Sequence, residues 1–88
     1  MPGNSIQVSV YPNPAMSTIW VAIQSELGDT IAIVIYDIKG IKALAVKNTV
    51  TTKNIPVNIE TLSEGWYFAM IYENGRASGV GRFYKKHP

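Results

Sequence analysis

Cysteine is absent from the 88-residue chain, and histidine occurs once, at His87. The first absence removes disulfides, thiol catalysis and thiolate metal sites together. The second leaves no ligand set for a histidine metal site and no partner for a nucleophilic serine. Leucine is scarce, at three residues, and charged residues are 16% of the chain against a usual ~25%. The longest apolar run, Trp66 to Tyr72, has seven residues, far short of the ~20 a membrane helix needs. The opening Met1-Pro2-Gly3-Asn4-Ser5 has neither a basic stretch nor an apolar one and does not read as a signal peptide. Residues 1–5 are therefore expected to be a linker, or the remnant of an excision from a longer chain, ahead of one domain at 6–88.

What the chain has instead is β-branched bulk. Eleven Ile, eight Val and six Thr make 25 of 88 residues, and such side chains lose rotamer freedom in helices but pack well on a pleated surface. With 47% hydrophobic residues, disorder is excluded. A chain of this size buries only ~60% of its unfolded surface, so one economical core is expected.

Period-2 alternation between turn residues recurs along the length. Ile6, Val8 and Val10 alternate until Tyr11-Pro12-Asn13-Pro14, where two prolines forbid ladder donation. Thr18 to Ile23 resumes, and Glu26-Leu27-Gly28-Asp29 turns the chain. Thr30 to Ile38 is apolar on both faces, which predicts a central strand covered on two sides. Asp37-Ile38-Lys39-Gly40 is a turn, and Ile41 to Lys47 a partly exposed strand. Ile55, Val57 and Ile59 alternate around Pro56, which is expected either on an edge strand or among a strand's first positions. Leu62-Ser63-Glu64-Gly65 is a corner into Trp66–Tyr72, and Asn74-Gly75 predicts a type I′ hairpin returning as Arg76–Tyr84. Gly79 and Gly81 are expected to weaken that last strand. The fold predicted is all-β, a seven-stranded antiparallel immunoglobulin-like β-sandwich.

Enzyme chemistry finds no footing. The carboxylates Glu26, Asp29, Asp37, Glu60, Glu64 and Glu73 are scattered over turns and strand ends. A Glu60–Glu64 pair reads as solvation of a corner, and Glu26 with Asp29 supplies too few oxygens for calcium. Gly79-Val80-Gly81-Arg82 has no following helix to cradle a phosphate. No metal, cofactor or catalytic residue is expected. Residues 1–44 carry net −1 and residues 45–88 net +3, with Arg76, Arg82, Lys85 and Lys86 giving a local +4. That basic stretch reads either as protection of an edge strand or as a handle for a partner. Nucleic acid would need a wider basic face with aromatic platforms, and no such partner is expected. Leu62-x-x-Gly65-x-Tyr67 has the form of a tyrosine corner, in which the phenol returns to an upstream backbone carbonyl.

Taken in order, several motifs resemble one family. They are Val10-Tyr11-Pro12-Asn13-Pro14-Ala15, Ile35-Tyr36-Asp37-x-x-Gly40, Ile59-x-x-Leu62-x-x-Gly65-x-Tyr67, Asn74-Gly75 and the closing Arg82-Phe83-Tyr84-Lys85-Lys86. Together they are similar to the C-terminal sorting domain of the type IX (Por) secretion system, over about Ile6 to Lys86. The resemblance implies a non-catalytic delivery label. A cargo domain would precede it covalently; a shuttle protein and the outer-membrane translocon would carry it from the periplasm to the cell surface or medium. A sortase would then usually cleave upstream. It also implies that Gly65, Tyr67, Arg82, Phe83, Tyr84, Lys85 and Lys86 carry recognition. Trp66 is bulkier than the residue often found between that Gly and Tyr. A weak final strand would allow pairing with a receptor sheet, or a dimer by strand exchange. Two rival readings stay open. One is a carbohydrate-binding or adhesive module using Trp20, Trp66 and Tyr72 as a flat face; the other is a structural module packed on a neighbour.

Overall fold

Two sheets account for nearly every strand residue in the computed structural model, which describes residues 6–24 and 26–87; the linker expected at 1–5 lies outside them. The strands are β1 (Ile6–Gln7), β2 (Val10–Tyr11), β3 (Thr18–Ala22), β4 (Thr30–Asp37), β5 (Lys42–Thr49), β6 (Asn54–Asn58), β7 (Gly65–Glu73) and β8 (Arg76–Lys85). One sheet has the order β1-β8-β7-β4-β5 and the other β2-β3-β6. The seven strands expected from the alternation are all present, the first divided between the sheets. Its start pairs with β8 and its end with β3. Every strand pairing is antiparallel except that of the two-residue β1, which runs parallel to β8.

The facing residues form one core. Ile31, Ile33 and Ile35 of β4, Ala69 and Ile71 of β7 and Phe83 of β8 meet Ile19 and Val21 of β3 and Ile55 and Val57 of β6. Among the described residues, twelve of the seventeen buried hydrophobics are Ile or Val, so the β-branched bias of the sequence is the composition of this core. Pro56 lies on β6, an edge strand, where its missing N–H costs no ladder bond. Asn74 and Gly75 both have positive φ, 53° and 78°, the geometry of a type I′ turn.

Two expectations are corrected. Strand β4 is central, but only its inner face is covered; Ala32, Val34 and Tyr36 on its outer face are half-buried, with no layer above them among the described residues. The near-continuous apolar run reflects a core face and an open apolar face, not two covered ones. Nor is β8 a weak edge. It lies between β7 and β1, and Gly79 and Gly81 are buried where the N-terminal segment crosses from one sheet to the other. Val8 N–H donates to Val80 O at 2.9 Å, and Ala22 N–H donates to Ser9 O at 2.9 Å. A Cβ on Gly81 would run into the Val8 carbonyl oxygen and lie 2.7 Å from Val10 Cγ2. The glycine admits a close backbone approach and so fastens the strand.

Gly81→Ala is therefore expected to be destabilising by about 1–3 kcal/mol through overpacking. For a domain this size that lowers the calorimetric melting temperature by about 5–15 °C. Thr51→Ala, in an exposed loop, is the control and is expected to stay within about 0.5 kcal/mol. An unchanged melting temperature for Gly81→Ala would mean the crossing segment is not held against β8.

Candidate functional site

The C-terminal half of β8 is enclosed on both edges. On one side the register with β7 pairs Phe68 with Arg82, Tyr67 with Phe83, Trp66 with Tyr84 and Gly65 with Lys85. On the other side lies Tyr11-Pro12-Asn13-Pro14-Ala15, a segment unable to form a full ladder because Pro12 and Pro14 have no N–H. Substitutes fill the gap. Asn13 Oδ1 accepts the Tyr84 N–H at 2.9 Å, Ala15 N–H donates to Tyr84 O at 2.8 Å, and Lys86 N–H donates to Ala15 O at 2.7 Å. Ala15 is fully buried. Tyr11 anchors the other end of the segment through Oη to Asn54 Oδ1 at 2.6 Å.

The corner at 62–65 receives the side chains of the same strand pair. Tyr67 Oη donates to Ser63 O at 2.8 Å, which is the tyrosine-corner bond. Lys85 Nζ donates to Leu62 O at 3.1 Å, and Tyr84 Oη donates to Glu64 Oε2 at 3.3 Å. Three consecutive residues, Leu62, Ser63 and Glu64, are thus acceptors for the Tyr67 and β8 donors. Gly65 begins β7 at φ 150°, a conformation that side chains rarely adopt. Inside, the Tyr67 and Phe83 rings stack at 5.6 Å and 18°. Outside, Trp66 meets Tyr84 edge-on at 5.4 Å and 71°, and the Arg82 guanidinium lies 5.6 Å from the Trp66 ring.

The residues expected to carry recognition therefore divide by the side of the sheet they occupy. Tyr67, Phe83 and Lys85 are buried, Lys85 with 2% of its surface exposed. Arg82 and Lys86 are exposed, and Gly65 and Tyr84 are half-buried. The motif residues Tyr11 to Pro14, Leu62, Gly65, Tyr67 and 82–86 come together at one end of the sandwich. Asp37 joins them, since it pairs with Tyr67 across β4 and β7. Its Oδ1 accepts the N–H of both Lys39 and Ile41 at 2.9 Å, and Gly40 completes that turn. Asn74 and Gly75 lie at the far end of the β7–β8 hairpin. The flat aromatic face expected for sugar does not assemble: Trp66 and Tyr72 are on the larger sheet, Trp20 on the smaller one.

Burial, and then the Asp37 carboxylate, push the Tyr67 phenol above its ordinary pKa of 10.0. Glu60 bonds to Asn58, and Glu64 accepts from Tyr84. Among the described residues no group of three or more His, Asp or Glu side chains could hold a metal ion.

What sequence reading missed is the inward aim of Lys85 and the docking of 13–15 on β8. Parity held the first signal, since Lys85 is two residues from Phe83 on the same strand. A family model described as a secretion system C-terminal sorting domain matches residues 9–85. No curated protein matches the chain.

Two measurements follow from this geometry. Lys85→Ala is expected to cost about 2–4 kcal/mol in urea unfolding, from the lost stem and the stranded Leu62 carbonyl. Lys86→Ala is expected to change stability by no more than about 0.5 kcal/mol; equal effects would mean that Lys85 is not inside. The raised Tyr67 pKa means the native state holds that proton more tightly than the unfolded chain. Its contribution is complete below pH 10.0 and is lost as pH rises through the folded pKa. Tyr67→Phe is expected to flatten the alkaline fall in stability above that pH; an identical slope would exclude Tyr67 as its source.

Proposed function

Because the chain belongs to the family of secretion system C-terminal sorting domains, we propose that it is the outer-membrane address of a cargo protein joined ahead of it. The sorting role is non-catalytic. In this reading the folded domain is taken up in the periplasm by a shuttle protein, passed to the type IX translocon and delivered to the cell surface or beyond. A sortase then acts on the chain upstream of the domain. The sandwich is read as immunoglobulin-like. What supports that is the division of strands, with β2, β3 and β6 in one sheet and β4, β5, β7 and β8 in the other, together with the Tyr67–Ser63 bond.

One observation carries the proposal: the segment 82–86 completes the fold. Phe83 fills the core, Lys85 reaches Leu62, and Tyr84 and Lys86 hold the segment at 13–15. A signal read at this end is therefore legible only in a finished sandwich. A role of the final basic and aromatic residues in export then has a mechanical cause, because two of the five, Phe83 and Lys85, are internal struts. The expected weakness of the last strand is corrected by the enclosure of β8 between β7 and β1.

The test is a reporter with a signal peptide, fused ahead of this chain and expressed in a host with the type IX machinery. The parent fusion is expected outside the cell. Removal of residues 82–88 is expected to leave the reporter in the periplasm and the purified domain without a cooperative melt. Surface display of the truncated fusion would overturn the proposal.

A further inference from the structure

The outward face of the larger sheet is apolar and aromatic where a lone domain would be polar. On β7, Trp66 is 45% and Phe68 39% exposed, and Ile38 in the turn after β4 is 69% exposed. Tyr36, Ile38, Phe68, Met70 and Val80 line a shallow depression of ≈ 360 Å³ on this face. One row of the register crosses it as Lys42–Tyr36–Phe68–Arg82, one residue from each of β5, β4, β7 and β8. Cations thus stand on both sides of the depression. No outward position of that register, from Lys47–Ala32–Tyr72 to Trp66–Tyr84, is acidic. The bordering Asp37 has one oxygen committed to two turn amides.

The composition selects among occupants. Aromatics, Met and Arg are the residues enriched in the centres of protein interfaces, and an apolar patch ringed by charge marks such a site. A second copy is disfavoured, because face-to-face docking would oppose Lys42, Lys47 and Arg82 with their own kind. Sugar is disfavoured because Trp66 has Arg82 over its ring and stands edge-on to Tyr84, leaving no coplanar platform. An acidic protein segment matches what remains. The row from Lys42 to Arg82 spans three strand spacings, about 14 Å. That is the reach of about four residues of extended chain.

Resting on the sorting role above, we propose that this face docks an acidic, extended segment of a protein on the export route. One apolar side chain sits in the depression, and carboxylates about four residues apart meet Arg82 and Lys42. The buried motif residues hold the hairpin in shape, and the outward residues of its two strands, with Tyr36 of β4 and Lys42 of β5, are the ones touched.

The experiment uses the reporter fusion in the type IX host, with a photo-crosslinking amino acid at position 68 or, as control, at position 20 on the opposite sheet. Light is expected to give a protease-sensitive adduct from position 68 and none from position 20. Adding Arg82→Glu and Lys42→Glu is expected to abolish the adduct and to cut export at least tenfold, while the purified chain keeps its melting temperature. Arg82→Lys is expected to retain export, and Arg82→Gln with Lys42→Gln serves if the reversed pair fails to fold. Normal export of the charge variants overturns the docking face alone. So does an adduct that resists protease but yields to periodate, which would mean a polysaccharide occupant. Failure of the parent fusion to leave the cell overturns the sorting role and this inference with it.

Discussion

Pairing on both edges of Tyr84 and Lys85 is the constraint from which the rest of the molecule follows. A strand end with one free edge frays, and here the free edge is taken by a segment that two prolines bar from being a strand. The Asn13 amide oxygen stands in for a carbonyl, and Ala15 supplies the donor and the acceptor that follow it along β8. That arrangement needs a small, fully buried residue at 15, and it draws the N-terminal segment across β8. The crossing in turn needs Gly81 without a side chain. The N-terminal and C-terminal motifs are therefore one structural unit, although about seventy residues separate them (|i−j| = 71 for Asn13 and Tyr84).

Lys85 sits oddly in such a core. An ammonium inside a domain is costly, and a hydrophobic residue of like volume would often serve as well or better. What the lysine adds is a condition on register. Shifting β8 by one residue against β7 would send Lys85 to the surface and turn Tyr84 or Lys86 inward, and the bond from Nζ to Leu62 O exists in one alignment only. The same alignment brings Tyr84 Oη to Glu64 and stacks Phe83 on Tyr67. Three contacts on the corner thus agree on a single pairing, which is the consistency that gives a small domain one native state.

Much of this was legible in the sequence. Alternation located the strands, Asn74-Gly75 the hairpin, Pro56 the edge, and Leu62-x-x-Gly65-x-Tyr67 the corner. The failures have a common physical origin: each misread residue has two meanings that differ only in what lies next to it. Glycine in a strand either weakens it or lets another backbone approach, and Gly81 does the second. A two-sided apolar strand is either doubly covered or half open, and β4 is half open. A terminal lysine is ordinarily a solvated charge, yet Lys85 shares the parity of Phe83, and parity outranks the residue type. No local pattern could reveal that Asn13 and Ala15 would close β8, because that contact depends on how the two sheets are stacked.

The division by parity also resolves a tension in the molecule's size. A domain this short cannot spare many apolar residues from its core, but β7 devotes Trp66, Phe68, Met70 and Tyr72 to its outward side. It can do so because the inward positions, Tyr67, Ala69 and Ile71, already meet a core dense in Ile and Val. The outward row is then free to vary without cost to folding, and the inward row without change to the exposed chemistry. Such a surface invites self-association. Lys42 and Lys47 of β5 stand on the open edge of the same sheet, and Arg82 stands over the Trp66 ring. Like charge at these places opposes sheet-edge pairing and face-to-face stacking between copies, while a partner bearing carboxylates meets no such barrier. The cations that keep the apolar face from its own kind are the groups that would select what may cover it.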